Sequence, residues 1–219
     1  MKHNALYFLI KKFQEEFYLA KFKAKWRQIN AHNLTIPMNI WPIGKVIVGK
    51  YTYGNLNCYF YGTKDDSEFI KIGNSCSIAN DTKFLAGGEH CFGTLTTYPY
   101  MQKYINKHCY TASSKGPIIV EDDVWIGRGC TILSGVTIGK GAVIGAGSVV
   151  AHNIDPYAVA VGIPAKTIKY RFNLEIIEKL ESLNYSNIEL SKIKDNIRLF
   201  TEKISSENIE RISAEIKNL

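Results

Sequence analysis

From Val120 to Val161 the hydrophobic and polar positions repeat every six residues. Each unit opens on a branched aliphatic residue, at Val120, Ile126, Ile132, Ile138, Ile144 and Val150. The fourth position holds residue types that tolerate a positive φ, namely Asp123, Gly129, Gly135, Gly141, Gly147 and Asn153. A period of six fits neither the alternation of a strand nor the stripe of a helix. It predicts a short strand followed by a corner, three to a turn, which is a parallel β-helix.

Earlier parts of the chain keep the same register. Hexad-like units open at Val48, Ile72 and Ile78. The next opening, Phe84, is separated from Val120 by a multiple of six residues. We therefore expect a β-helix over residues 43–165 that releases one long loop, residues 85–117, and a shorter polar excursion at Thr63–Glu68. Long loops without secondary structure of their own inside a compact domain are usually functional.

Residues 1–30 predict a basic amphipathic helix that runs from Ala5 to about Gln28. Its apolar residues recur at helical spacing: Leu6, Leu9, Ile10, Phe13, Phe17, Ala20 and Ala24. Its other face is basic: Lys11, Lys12, Lys21, Lys23, Lys25 and Arg27. Such a helix either lies on a membrane surface or packs on its own protein or a sister subunit. Packing is the more common of the two among soluble proteins.

Residues 166–219 predict a helical segment after the β-helix. Asn173 is the expected N-cap of a helix from Leu174 to about Leu183. Further helices are predicted at Ser186–Ile204 and Ser206–Leu219. One shared apolar face is expected from Leu190, Ile193, Ile197 and Phe200. Because terminal repeats of a β-helix need cover, we expect these helices to close an open end.

Composition narrows the class of protein. Hydrophobic residues make up 46% of the 219, which excludes general disorder, and the net charge of +7 favours anionic partners. No nucleic-acid-binding motif is present. The cysteines are odd in number and lack a C-x-x-C pair, which indicates a reducing compartment and a cytoplasmic protein. Charges interrupt the first apolar run, so neither a signal peptide nor a spanning helix is expected.

Five short segments resemble those of a known enzyme family. They are GGEH at Gly87–His90, YPY at Tyr98–Tyr100, DVWIG at Asp123–Gly127, GIPAK at Gly162–Lys166 and IKYRF at Ile168–Phe172. With the hexads, they resemble the hexapeptide-repeat acyltransferases, and more narrowly the xenobiotic acetyltransferase branch. That branch includes chloramphenicol and streptogramin acetyltransferases and relatives that O-acetylate bacterial surface sugars. The resemblance covers roughly residues 70–183.

The resemblance implies a left-handed β-helix that assembles as a homotrimer, with acetyl-CoA as donor and the long loop reaching across a subunit interface. Ala146 and Ala151 match family positions along the pantetheine arm. Lys166 and Lys169 match positions that bind the CoA phosphates, although a solvated basic turn is the alternative. Trp125 matches a tryptophan beside the substrates, and packing at a trimer seam is its alternative role.

Acetyl transfer from a thioester to a hydroxyl needs a base for the hydroxyl proton and a donor for the developing oxyanion. Histidine has a suitable pKa, and His90 stands in the GGEH loop, so we assign it as the general base. His108 is the second candidate, without a family motif around it. Glu89 is a candidate for orienting the imidazole, although adjacent side chains generally diverge. Tyr98 and Tyr100 are expected to line the acceptor pocket.

A metal site is the competing interpretation of the His–Cys pairs at His90 and His108. Their spacing matches no standard zinc pattern, and His152 would have to come from a neighbouring subunit to complete three ligands. We therefore expect no metal. Two departures from the family pattern affect the acceptor geometry. Arg128 replaces a small polar residue, and one extra residue separates His90 from the Tyr-Pro pair.

The sequence thus predicts an acetyl-CoA-dependent O-acetyltransferase that modifies a sugar of a bacterial surface polysaccharide or its precursor. An antibiotic or amino sugar would suit the same site. A trimer without catalytic activity, acting as a scaffold or binding module, is the alternative from another class. The basic N-terminal helix favours a membrane-associated glycan pathway, with the protein in the cytoplasm at the inner face of the membrane.

Overall fold

The computed structural model describes residues 5–62, 67–109 and 112–219, so positions 63–66 of the predicted polar excursion lie outside it. The helices are α1 (Ala5–Ile29), α2 (Leu174–Glu181), α3 (Leu190–Asp195), α4 (Ile197–Thr201) and α5 (Ile209–Lys217). The strands are β1 (Leu34–Pro37), β2 (Val46–Val48), β3 (Tyr53–Tyr59), β4 (Ile70–Ile72), β5 (Ser77–Ile78), β6 (Lys83–Leu85), β7 (Glu89–His90), β8 (Ala112–Ser113), β9 (Ile118–Val120), β10 (Trp125–Ile126), β11 (Thr131–Leu133), β12 (Thr137–Ile138), β13 (Val143–Ile144), β14 (Val149–Val150), β15 (Ala158–Gly162) and β16 (Ala165–Tyr170).

The short strands wind into a parallel β-helix, as the hexads predicted. Its first face contains β2, β4, β9 and β12, its second β5, β10, β13 and β15, and its third β6, β11 and β14, while β3 pairs on both the second and the third. The hexad openings stack in three buried rows: Val48, Ile72, Val120 and Ile138; Ile78, Ile126 and Ile144; Phe84, Ile132 and Val150. Because Ile72 pairs directly with Val120, the winding continues across the long loop.

The corners depend on positive φ at the fourth position of each unit. The corner residues Asp123, Gly129, Gly135, Gly141 and Gly147 have φ between 58° and 73°. Asn153 is not among the residues with positive φ, so that prediction was wrong. Ile154 pairs with Ile138, which moves the next corner to Tyr157, with φ of 56°. A strict six-residue repeat would make Pro156 the next strand opening, but proline has no N–H to donate to the neighbouring strand. Ile154 occupies that opening position instead.

Helix α1 has the predicted span but packs through another face. Phe22 and Trp26 are buried, and each ring meets Trp41 edge to face, with centroids 5.1 and 5.5 Å apart. All three belong to the core that starts the β-helix. The predicted stripe is exposed instead: Leu6, Leu9, Ile10, Phe13, Phe17, Ala20 and Ala24. Among the described residues, no helix has both the length and the apolar character needed to cross a bilayer.

The C-terminal segment runs along the corner between the first and second faces. It reaches this corner on successive coils, at Tyr157, Lys140, Asp122, Asn74 and Lys50. The Lys140 ammonium donates to the carbonyl of Leu180 at 3.1 Å, and the Tyr185 hydroxyl donates to Asp123 Oδ2 at 3.0 Å. We expected the helices to cover an open end. What the structure shows is attachment along the side, where polar corner residues provide partners on every coil.

The helices after α2 are shorter than predicted. Asn173 does cap α2, since its Oδ1 accepts from the N–H of Ile176 at 3.0 Å. The predicted helix over Ser186–Ile204 is broken, however, because Asn196 leaves helical geometry with φ −120° and ψ 30°. The expected apolar face is confirmed only in part, because Ile193 and Phe200 are half-buried and Phe200 packs on the C-terminal core. Leu190 and Ile197 are exposed, and Leu199 is buried in their place.

Candidate active site

The three corners of the β-helix differ in what covers them. The C-terminal helices lie along the first corner, which joins the first and second faces. The long loop leaves from the third corner, which joins the third and first faces, between β6 and β9. The corner between the second and third faces carries only short turns, and its residues Arg128, Gly129, Ala146 and Gly147 are exposed. A ligand or a second subunit can therefore approach the coil most closely there.

The long loop has structure of its own, which the sequence did not predict. Strands β7 and β8 pair antiparallel, with Glu89 opposite Ser113 and His90 opposite Ala112. A π-helical turn follows at Met101–Ile105. The pairing ties the two ends of the loop together, so β7 holds the GGEH segment close to the coil.

His90 is exposed on this loop and has a defined ring orientation. Its Nδ1 lies 2.7 Å from the main-chain oxygen of Thr97. A carbonyl oxygen can only accept, so Nδ1 carries the proton in this hydrogen bond. In the neutral imidazole the other nitrogen, Nε2, then has a lone pair available. This is the tautomer that a general base acting through Nε2 requires.

Glu89 points away from the imidazole and toward the coil. Its Oε1 accepts from the hydroxyl of Ser134 at 2.6 Å, and that hydroxyl accepts from the N–H of Lys115 at 3.2 Å. The other carboxylate oxygen is buried and has no hydrogen-bond partner among the described residues. The hydrogen bond between Glu89 and Ser134 anchors β7 to the turn that follows β11. Thr97, which no motif marked, orients the His90 ring in place of the Glu89 carboxylate considered from the sequence.

A surface cavity of about 410 Å³ lies beside His90. It is lined by Glu89–Gly93 together with Ser113 and Lys115. These residues come from the loop and its return to the coil. The cavity is therefore formed by the loop itself, and it presents the imidazole on an apolar wall that includes the exposed ring of Phe92.

Tyr98 and Tyr100 form a cluster with a third ring, Tyr104. The centroids of Tyr98 and Tyr100 are 4.7 Å apart, and Tyr104 lies 6.3 and 6.2 Å from them. A hydrogen bond to Tyr104 raises the pKa of Tyr98 above its ordinary value. No motif marks Tyr104 in the sequence, although its spacing of four from Tyr100 suits one turn of helix after Pro99. The cluster provides exposed aromatic surface on the loop.

Trp125 lies on the second face of the coil, between Ser77 and Val143, and 56% of its surface is exposed. Ala146 and Ala151 flank β14, the former exposed and the latter half-buried. Gly127, two residues after the tryptophan, is required by close packing. A Cβ there would lie 2.6 Å from the backbone nitrogen of Ala146. Gly127 therefore lets the two coils pack closely, and the exposed Ala146 leaves its own backbone accessible.

Lys166 and Lys169 lie on β16, which forms an antiparallel hairpin with β15. Lys166 is level with Val161 and Lys169 with Val159. Both lysines are exposed. The predicted GIPAK turn is the tip of this hairpin, which places two cations on the last coil of the β-helix.

The predicted site residues thus form two separate groups within one chain. His90 and the tyrosines lie on the loop at the third corner, whereas Trp125 lies on the second face. The cavity beside His90 is lined by the loop and Lys115 and does not include Trp125.

The other candidate histidines have different surroundings. His108 is exposed in the loop, where its backbone N–H donates to Asn106 Oδ1 at 3.0 Å. His152 is exposed on the coil. Within residues 5–62, 67–109 and 112–219, no three His, Cys, Asp or Glu side chains are grouped in a way that could hold a metal ion. The five cysteines are unpaired thiols, with Cys76 and Cys130 buried in the coil.

Comparison with known proteins identifies the relatives of this chain. Residues 117–152 match the family model described as bacterial transferase hexapeptide, six repeats. A chloramphenicol acetyltransferase from Klebsiella aerogenes is 30% identical over 184 residues, which cover 81% of this chain and 88% of the relative.

Two solved structures share the fold. A hexapeptide-repeat acetyltransferase from Vibrio cholerae O1 biovar eltor, complexed with acetyl-CoA, is 25% identical with a TM-score of 0.51. The matched region covers 70% of this chain and 78% of that enzyme's chain. A maltose O-acetyltransferase from Clostridium difficile 630 is 26% identical with a TM-score of 0.50 and covers 74% of this chain and 88% of its own. The chain belongs to the hexapeptide-repeat acetyltransferase family and is an acetyl-CoA-dependent acyltransferase.

Proposed function

We propose that the protein transfers acetyl from acetyl-CoA to a hydroxyl of a sugar in a bacterial surface polysaccharide or its precursor, with His90 as the general base. The observation that carries the proposal is the 2.7 Å contact between His90 Nδ1 and the Thr97 carbonyl. It fixes the tautomer in which Nε2 can accept a proton. The exposed position of the ring leaves Nε2 accessible to an acceptor hydroxyl.

The reaction follows from that tautomer. Nε2 removes the hydroxyl proton as the acceptor oxygen attacks the thioester carbonyl, and a backbone N–H stabilises the resulting oxyanion. When the tetrahedral intermediate collapses, the C–S bond breaks. The imidazolium then returns its proton to the departing CoA thiolate. The Thr97 carbonyl accepts a hydrogen bond from Nδ1 throughout and stabilises the imidazolium charge.

The donor is assigned to the exposed coil surface. Ala146 and Ala151 flank β14, where small side chains leave room for the pantetheine arm. Lys166 and Lys169 provide positive charge for the phosphates on the last coil. Trp125 supplies a flat apolar surface on which the arm or the acceptor can pack.

We further propose that the β-helix is left-handed and that the protein is a homotrimer whose sites lie between subunits. The separation of His90 from Trp125 within one chain supports this assembly, because a neighbouring copy can bring the loop of one subunit to the coil of the next. Light scattering tests it directly. A trimer has about three times the chain mass of 24.7 kDa, and a monomeric active enzyme would contradict the shared site.

A sugar is the preferred acceptor for two reasons. The cluster formed by Tyr98, Tyr100 and Tyr104 offers aromatic faces, which suit sugar rings. A structurally similar enzyme is a maltose O-acetyltransferase. The chloramphenicol acetyltransferase relative favours the second candidate, an antibiotic or amino sugar at the same site. We place the reaction in the cytoplasm, because five unpaired thiols suit a reducing compartment.

The experiment is CoA thiol release from acetyl-CoA with a panel of sugars, nucleotide sugars and antibiotics. We expect turnover with a sugar acceptor and a product whose acetyl group is removed by mild base, as an ester is. Turnover restricted to chloramphenicol or another antibiotic would favour the second candidate. No turnover with any acceptor, together with no CoA binding, would favour a scaffold.

A further inference from the structure

The feature that the proposed reaction does not use is the outer face of α1. Phe22 and Trp26 hold the C-terminal half of this helix on the core, where Leu19 is half-buried. Every residue from Ala5 to Tyr18 is exposed. The N-terminal half of α1 therefore extends beyond the part that packs on the β-helix.

Two apolar faces lie on opposite sides of α1. At 3.6 residues per turn, Leu19, Phe22 and Trp26 fall on one side of the helix. The stripe falls on roughly the opposite side: Leu6, Leu9, Ile10, Phe13, Phe17, Ala20 and Ala24. The first side meets the protein, so the second must face away from it. Its large side chains are 50% to 74% exposed.

The charges on α1 are those of a helix that meets an anionic surface. Residues 5–29 carry six basic side chains and two acidic ones. On the helical projection Lys21 and Lys25 border one edge of the stripe, and Lys12 and Lys23 lie along the other edge together with Glu16. The Lys21 ammonium lies 4.5 Å from the centroid of the Phe17 ring, directly at this border. Lysines in such positions can reach lipid phosphates while the stripe enters the apolar layer.

We propose that the stripe of α1 binds the surface of an anionic lipid bilayer. The helix lies parallel to that surface, and the stripe from Leu6 to Ala24 extends about 27 Å at 1.5 Å per residue. A second copy of α1 is a poorer occupant, because it would bring two strongly basic helices side by side. An anionic bilayer complements the charge and buries the exposed rings.

The test is co-sedimentation of the full-length protein with vesicles of phosphatidylcholine alone or phosphatidylcholine mixed with phosphatidylglycerol. The stripe variant is Phe13→Glu with Phe17→Glu. Its matched control is Phe8→Glu with Tyr18→Glu, which introduces the same charge at exposed aromatic positions away from the stripe. Thermal unfolding and acetyl-CoA turnover of both variants check that the fold and the site are intact.

We expect the wild-type protein and the control to bind the phosphatidylglycerol vesicles, with the control weakened only by its added charge. The stripe variant should bind at least about tenfold more weakly than the control, because two buried aromatic side chains are lost. Equal binding of the two variants, or no binding by the wild type, would overturn the proposal. A fall in assembly mass of the stripe variant, without vesicle binding by the wild type, would identify a second copy as the occupant. None of these outcomes depends on acetyl transfer.

Discussion

The imidazole of His90 and the main-chain carbonyl of Thr97 form a hydrogen bond of 2.7 Å inside one loop. The bond joins residues seven apart and needs no side chain from Thr97. It fixes both the direction of the ring and the nitrogen that carries the proton. A base held in this way does not have to select a tautomer during turnover.

Glu89 is a positioning residue in this account. Glu89→Ala removes the acceptor for Ser134 and releases β7 from the coil, so kcat should fall roughly tenfold to a hundredfold through misplacement of His90. Glu89→Gln keeps an oxygen for the Ser134 hydroxyl and should restore most of the rate. Steady-state kinetics of both variants check this prediction. Equal loss of kcat in Ala and Gln variants would show that the carboxylate charge itself is required.

The phosphate-binding role predicts a specific change in donor affinity. Lys166→Glu combined with Lys169→Glu should raise the KM for acetyl-CoA at least about tenfold at low salt, because two attractive charges become repulsive. Lys203→Glu with Lys217→Glu is the matched control, since both lysines are exposed on the C-terminal segment. An unchanged KM in the first variant, or an equal rise in the control, would mean that the hairpin lysines are simply solvated.

The corner that holds the C-terminal helices should lose stability at high pH. Burial raises the pKa of Tyr157 to about 12, and burial next to Asp123 raises that of Tyr185 further. A folded-state pKa above the unfolded value of about 10 favours the neutral phenol in the native state. The stabilisation is therefore complete below pH about 10 and is lost as pH rises through the folded pKa.

Urea unfolding at a series of pH values measures this effect. The free energy of unfolding should fall above pH about 10, by at most about 1.4 kcal/mol per pH unit for each tyrosine. Tyr157→Phe removes one titrating group and should make that decline shallower than in the wild type. Tyr18→Phe, at an exposed position of α1, serves as the matched control. A slope that is the same in all three proteins would contradict the assignment.

The β-helix was predictable because its determinants are local. Each hexad contains its own strand opening and corner, so Val120 to Val150 could be aligned from the sequence without tertiary information. The failure at Asn153 has a local cause as well, since Pro156 displaces the register by two residues. The stripe of α1 follows from helical spacing alone, whereas the face that docks on the core does not. The choice of docking face depends on Trp41, which only tertiary structure brings to the helix.

The loop was less predictable than the coil. His90 could be selected because GGEH resembles a family motif, yet its tautomer depends on a backbone oxygen, which has no signature in side-chain patterns. Glu89 accepts a hydrogen bond from Ser134, which lies 45 residues later in the chain. Nothing in the sequence singles out Ser134 as its partner. Loop geometry depends on such distant contacts.

The proposed reaction depends on His90 taking the proton of the acceptor hydroxyl. The direct measurement is the initial rate of CoA thiol release for the wild type, His90→Ala and His108→Ala with the best acceptor of the panel. We predict that His90→Ala lowers kcat by roughly 10²- to 10⁴-fold with little change in the KM for acetyl-CoA, and that His108→Ala keeps the wild-type rate. A His90→Ala enzyme with near wild-type kcat, or a comparable loss in His108→Ala alone, would contradict the account.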